Sequence, residues 1–145
     1  MRLPLIALGA LAALALALPS LSSGVSAAGT VQVVAWASKT TKNAIPPPDA
    51  AKRGVFCKPA AFRRLYAFIT FRGMRDRVAS SATWYYNDKR VFVFPFKWED
   101  GASGRTAFEI HRQKGLLEQG RYRIEVRSGG RLAGSGAIRL KFGSC

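Results

Sequence analysis

Arg121-Tyr122-Arg123-Ile124-Glu125-Val126-Arg127, followed by Ser128-Gly129-Gly130 and the run from Arg131 to Phe142, decides the fold. Polar and apolar side chains alternate through 121–127 without a break. This period of two fits a strand with Tyr122, Ile124 and Val126 inward and the charges outward. Gly129 and Gly130 supply the positive φ that a tight hairpin turn demands. The return strand carries Ile138, Leu140 and Phe142 on one face and Arg139 and Lys141 on the other. Gly134 and Gly136 mark a place for a bulge in it.

Working outward, five more short runs read as strands. They are Val31 to Ser38, Leu65 to Phe71, Ala82 to Tyr86, Val91 to Trp98 and Arg105 to His111. Turn residues punctuate them: Gly73, Asn87-Asp88 and Asp100-Gly101. A helical turn fits only at 75–82 and 113–119. Seven short runs without a sustained helical period predict an all-β, antiparallel sandwich. Pro46-Pro47-Pro48 and the basic stretch after it cannot lie inside a sheet. Too few residues precede them to make a domain, so 39–64 reads as a long connection from one sheet to the other. Residues 29–145 then form one domain.

Residues 1–28 read as a signal peptide. Met1 and Arg2 give a positive start, Leu3 to Leu18 is apolar, and Val25-Ser26-Ala27 or Ser26-Ala27-Ala28 fits a small-residue cleavage site. The apolar run is shorter than the roughly 20 residues of a membrane span. An uncleaved anchor is therefore the weaker alternative, and the mature chain is expected to have no transmembrane span. The expected location is periplasmic or extracellular. Two cysteines in an exported chain, Cys57 and Cys145, predict one disulfide, the alternatives being reduced thiols or an intermolecular pair. The chain-entropy model credits so long a loop with about 4 to 5 kcal/mol. The net charge is +15, and losing Arg2, the sole charged residue before position 29, leaves +14. Such a field draws anionic partners. Export makes nucleic acid an unlikely one and points to lipid head groups, lipopolysaccharide or acidic glycans.

Catalytic chemistry has little to draw on. His111 is the only histidine, and on a strand it shares the outward face with Glu109. That pair reads as solvated charges rather than a base and its orienter. There is no G-x-S-x-G nucleophile, calcium loop, zinc set or phosphate-binding glycine loop. The expectation is a non-enzymatic protein without metal or cofactor. Charge is the first candidate for function: Arg121, Arg123, Arg127, Arg139 and Lys141 share one outward face, with Arg131 near the turn. Guanidinium groups fork onto phosphates and carboxylates. The competing reading is a sheet face kept basic for solubility and edge protection. A second basic group, Arg63, Arg64, Arg72, Arg75 and Arg77, brackets the strand at 65–71. Aromatic residues are the other candidate. Trp84, Tyr85, Tyr86 and Trp98, with Phe92, Phe94 and Phe96, crowd both faces of the hairpin 82–98. They suit either a core or an exposed contact strip.

Glu118-Gln119-Gly120-Arg121-Tyr122 resembles the tyrosine corner of immunoglobulin-like and fibronectin-like sandwiches, where a tyrosine opening the penultimate strand bonds back to upstream backbone. The plain alternative is a strand that begins with Tyr122. Leu65 to Ile69, Ala82 to Tyr86, Gly120 to Val126 and Gly130 to Ala133 together resemble a bacterial immunoglobulin-like module of exported proteins and lipoproteins, mostly of unknown function. The resemblance spans about Val55 to Phe142. It implies the fold and export, and it brings no catalytic residues. No cysteine near the cleavage site could carry a lipid. It also implies a first strand parallel to the last, which would bring Cys57 and Cys145 to one pole. Two functions are expected from these readings: a binding or adhesion module whose basic face takes an anionic envelope ligand, or a structural or protein-interaction domain packing through the aromatic hairpin. Salt separates them, because phosphate-type binding weakens with ionic strength and an apolar contact does not.

Overall fold

Eight strands form in the computed structural model, which describes residues 29–145. They are β1 (Thr30–Ala37), β2 (Val55–Lys58), β3 (Arg64–Arg72), β4 (Ala79–Tyr86), β5 (Lys89–Lys97), β6 (Gly104–His111), β7 (Gly120–Ser128) and β8 (Arg131–Phe142). The signal peptide read at 1–28 lies outside the described residues. Seven strands are those the alternation predicts. The eighth, β2, sits inside the Pro-rich connection between Gly54 and Pro59. The stretches 75–82 and 113–119 contain no helical turn; among the described residues the one such turn is a 3₁₀ turn at Lys42–Ala44.

The strands form two sheets, ordered β1-β3-β6 and β2-β8-β7-β4-β5, so the chain is an all-β sandwich. Pairing is antiparallel except between β2 and β8. This corrects the expected partner of the last strand. β1 pairs with β3, and β2 takes the parallel place beside β8, with Cys57 on it. Cys57 and Cys145 do meet at one pole, their Cα atoms 5.9 Å apart and their sulfurs paired.

Both tight hairpins follow from their turn residues. Gly129 and Gly130 (φ 60° and 78°) close β7–β8, and Asn87 and Asp88 (φ 45° and 66°) close β4–β5. Asn and Asp are among the few non-glycine residues that accept such angles. The bulge in β8 falls at Ala133, where the register passes from Gly134 to Leu132. Gly134 and Gly136 serve another purpose. A Cβ on Gly134 would strike the Val31 carbonyl, and one on Gly136 would lie 2.6 Å from the Val33 Cβ. The missing side chains let β1 press its backbone against β8 and close that side of the sandwich.

The core sets Trp36 edge-on to Trp84, ring centroids 6.1 Å apart, and Phe71 edge-on to Trp98 at 4.7 Å. The Trp98 indole N–H donates to the Gly101 carbonyl at 2.7 Å, as a buried indole requires. A second apolar cluster, Ala35, Ala37, Tyr66 and Phe68, lies on the outer face of the three-stranded sheet. Ala44 and Ala50 from the connection cover it, and Ala51 exchanges two backbone hydrogen bonds with Trp36. The connection therefore crosses between sheets and also roofs one of them. That is why β3 is apolar on both faces.

Tyr122 opens β7, buried, with its hydroxyl donating to the Glu118 carbonyl at 2.8 Å. Burial, and after it the neighbouring Tyr86, push its hydroxyl up to about 12. An unfolded tyrosine ionises near 10. Between these values the unfolded state holds fewer protons, so this group's contribution to stability falls as pH rises from 10 to 12. Tyr122→Phe should lose about 1 kcal/mol at pH 7 and flatten that alkaline decline. Urea unfolding across pH 7 to 12 checks both; an unchanged midpoint and slope would contradict them.

Candidate functional site

The basic residues reach the outer face of the five-stranded sheet, as their alternation requires. Arg121 stands directly opposite Arg139, and Arg123 opposite Tyr85. Two carboxylates share that surface. Arg123 pairs with Glu125, Arg127 lies 3.9 Å from the same side chain, and Tyr85 donates its hydroxyl to it at 3.3 Å. The Arg123 guanidinium also stacks 3.8 Å from the centre of the Tyr85 ring. Arg121 bonds Asp88 at 2.8 Å. Three of the six candidate cations are thus engaged inside the protein. Arg131, Arg139 and Lys141 have no ion-pair partner among the described residues. The second basic group disperses, because Arg64 and Arg72 end opposite poles of a nine-residue strand, some ~27 Å apart.

The aromatic candidates divide differently from their sequence pattern. Trp84 and Trp98 are 1% and 0% exposed, so both belong to the core. Tyr85 lies beneath Arg123, and Tyr86 donates its hydroxyl to the Gln119 carbonyl at 2.5 Å. The exposed surface is one strand further on. Val91, Phe92, Val93 and Phe94 of β5 are 51%, 48%, 42% and 48% exposed. Phe92 and Phe94 point to the inner face, opposite Trp84 and Ala82 of β4, yet among the described residues no strand of the other sheet covers them. The three-stranded sheet ends at β6, and Phe96 reaches its Phe108, at 5.5 Å between centroids.

The result is an open cleft of about 740 Å³ between β5 and β6, with Trp84, Phe92, Phe94, Phe108, Ile110 and Leu117 along its floor. Its rim is polar. His111 Nδ1 lies 2.8 Å from a Glu109 oxygen, with Arg64 3.6 Å from the other oxygen, and Arg112 bonds Glu118 at 2.7 Å. Nearby Tyr66 has its hydroxyl pushed up, first by burial. His111 and Arg64 thus hold the two oxygens of one carboxylate, Glu109, at the surface. Among the described residues no three His, Cys, Asp or Glu side chains group closely enough to hold a metal, and no helix is long and apolar enough to cross a membrane.

No protein-family model and no curated protein matches the chain. Among solved structures it is similar to the Pseudomonas fluorescens alkylpurine DNA glycosylase AlkC bound to DNA containing an abasic site analog, at 15% identity and a TM-score of 0.42. That similarity covers 81% of this chain and 32% of the glycosylase.

The sequence offers the hairpin 82–98 as a contact strip and puts its interaction aromatics at Trp84, Tyr85, Tyr86 and Trp98, while Phe92, Phe94 and Phe96 suit a core and an exposed strip alike. Only the count of strands in the opposite sheet reveals that one face is bare. Because Phe92 and Phe94 are half-buried, replacing each with serine should cost about 1 kcal/mol. Trp84→Ala should cost about 3 to 5 kcal/mol. Urea unfolding measures this difference, and the serine pair should also lower the fluorescence of an apolar-surface dye. A loss of 3 kcal/mol or more for each serine would mean that β5 is packed.

Proposed function

We propose that the protein is an exported, non-enzymatic, immunoglobulin-like binding domain, and that its contact surface is the open β5–β6 side, where another exported protein packs. The exposed run Val91 to Phe94 carries this reading. Four contiguous apolar residues on a free sheet edge are costly to leave in water and signal an interaction surface. The strand order supports the immunoglobulin-like assignment, with a parallel β2 beside β8 and a tyrosine at the start of the penultimate strand bonded to upstream backbone. The apolar leader and the paired cysteines support export.

A second reading keeps the basic face as a site for lipid head groups, lipopolysaccharide or an acidic glycan. Arg139 and Lys141, exposed on β8 and without carboxylate partners among the described residues, favour it. Glu125 and Asp88 weigh against it, since they neutralise much of the arginine row. A photo-crosslinking residue placed at Gln113, exposed at the rim of the cleft, and separately at Ser135 on the basic face, distinguishes the two in the exporting cell. The expected outcome is one discrete protein adduct from position 113 that persists at high salt and disappears with Phe92→Ser and Phe94→Ser. Adducts from position 135 alone, abolished by Arg139→Ala and Lys141→Ala, would transfer the role to the basic face.

A further inference from the structure

We infer that the β5 edge receives an extended partner segment as an added strand, and that this segment is apolar in its middle and carries carboxylates at both ends. The inference rests on the reading of the β5 side as the contact surface and names the chemistry of its occupant. β5 is the last strand of its sheet, so among the described residues one side of its backbone has no strand to pair with. Along an edge, backbone N–H and C=O groups provide affinity, and alternate side chains provide specificity.

The devices that normally blunt such an edge sit at its two ends. Lys89 and Arg90 stand at the start, a register shift follows at Val91, and Pro95, without an N–H, and Lys97 stand at the finish. Between them Phe92, Val93 and Phe94 are exposed and uncharged. A visiting strand would place alternate side chains over Phe92 and Phe94 into the cleft facing Phe108, and the others over Val93.

Charge decides the occupant. Lys89, Arg90 and Lys97 have no ion-pair partner among the described residues, and β5 contains no carboxylate. A second copy of the chain is poorly matched. Antiparallel self-pairing centred on Val93 sets Lys89 of each copy opposite Lys97 of the other, and like charges directly opposed are destabilising. Two bodies each carrying +14 after loss of the leader also repel. A strand with glutamate or aspartate at both ends reverses each of these terms.

The test uses the disulfide-bonded mature protein and two synthetic nine-residue peptides. Both alternate valine and threonine; one has glutamates at its ends, the other lysines. The acidic peptide should bind saturably and slow amide exchange along β5. The basic peptide should bind about tenfold more weakly, given three cations attracted in one case and repelled in the other. Lys89→Glu with Lys97→Glu should invert the preference. Equal affinity for both peptides would overturn the proposal. So would binding that leaves β5 amide exchange unchanged, an outcome that spares the open side as contact surface. A free protein that sediments as a dimer with β5 already protected would overturn it as well, in favour of self-association. Loss of peptide binding in the Phe92→Ser, Phe94→Ser variant ties strand addition to the open side. Undiminished binding there would refute both.

Discussion

Three strands cannot cover five. Strands in a sheet lie about 4.8 Å apart, so a sheet of β1, β3 and β6 leaves roughly two strand widths of the larger inner face without a partner layer. The two sides solve this differently. On the β2 side, Phe62 from the following loop packs between Phe56 and Phe142, with centroids 5.6 and 5.4 Å away. There too Gly134 and Gly136 allow β1 to meet β8 backbone to backbone, and Cys57–Cys145 ties the segment after β8 to β2. On the β5 side nothing comparable is in place among the described residues. The cleft and its phenylalanines follow from that asymmetry.

The closed regions are well supplied with cover. The Pro-rich connection shields Tyr66 and Phe68 on the outer face of the small sheet. Tyr122, held by the Glu118 carbonyl, packs 5.0 Å from Tyr86 near the mouth of the cleft. Gly120 makes that corner possible, because a Cβ there would lie 2.6 Å from the Tyr86 ring. The open side is thus framed by fixed elements, β4 and the tyrosine pair behind it and β6 across from it. A rigid frame around an uncovered apolar surface favours binding with little rearrangement.

Local signals in the sequence carried most of the fold. Alternation at 121–127, the Gly129-Gly130 and Asn87-Asp88 turns and the even cysteine count each led to a feature of the structure. β2 escaped because four residues between Gly54 and Pro59 hold too little pattern to register a strand. The parallel partner of β8 was misassigned for the same reason. The candidate site was less legible. Alternation told correctly that Arg121, Arg123 and Arg127 face outward, yet it could not show that Glu125 and Asp88 would hold them. It also could not tell an edge strand from a central one, so Trp84 and Trp98 were ranked with residues that are in contact with solvent. Pairing order and the number of strands opposite are long-range properties, and no local period encodes them.

NMR relaxation of the phenylalanine ring protons of the mature protein, in the presence of a soluble paramagnetic agent, reads whether β5 presents its inner face to water. Phe92 and Phe94 should relax far faster than Phe56, Phe68 and Phe71, which are buried. Equal protection of all five rings would mean instead that the open side is covered in solution.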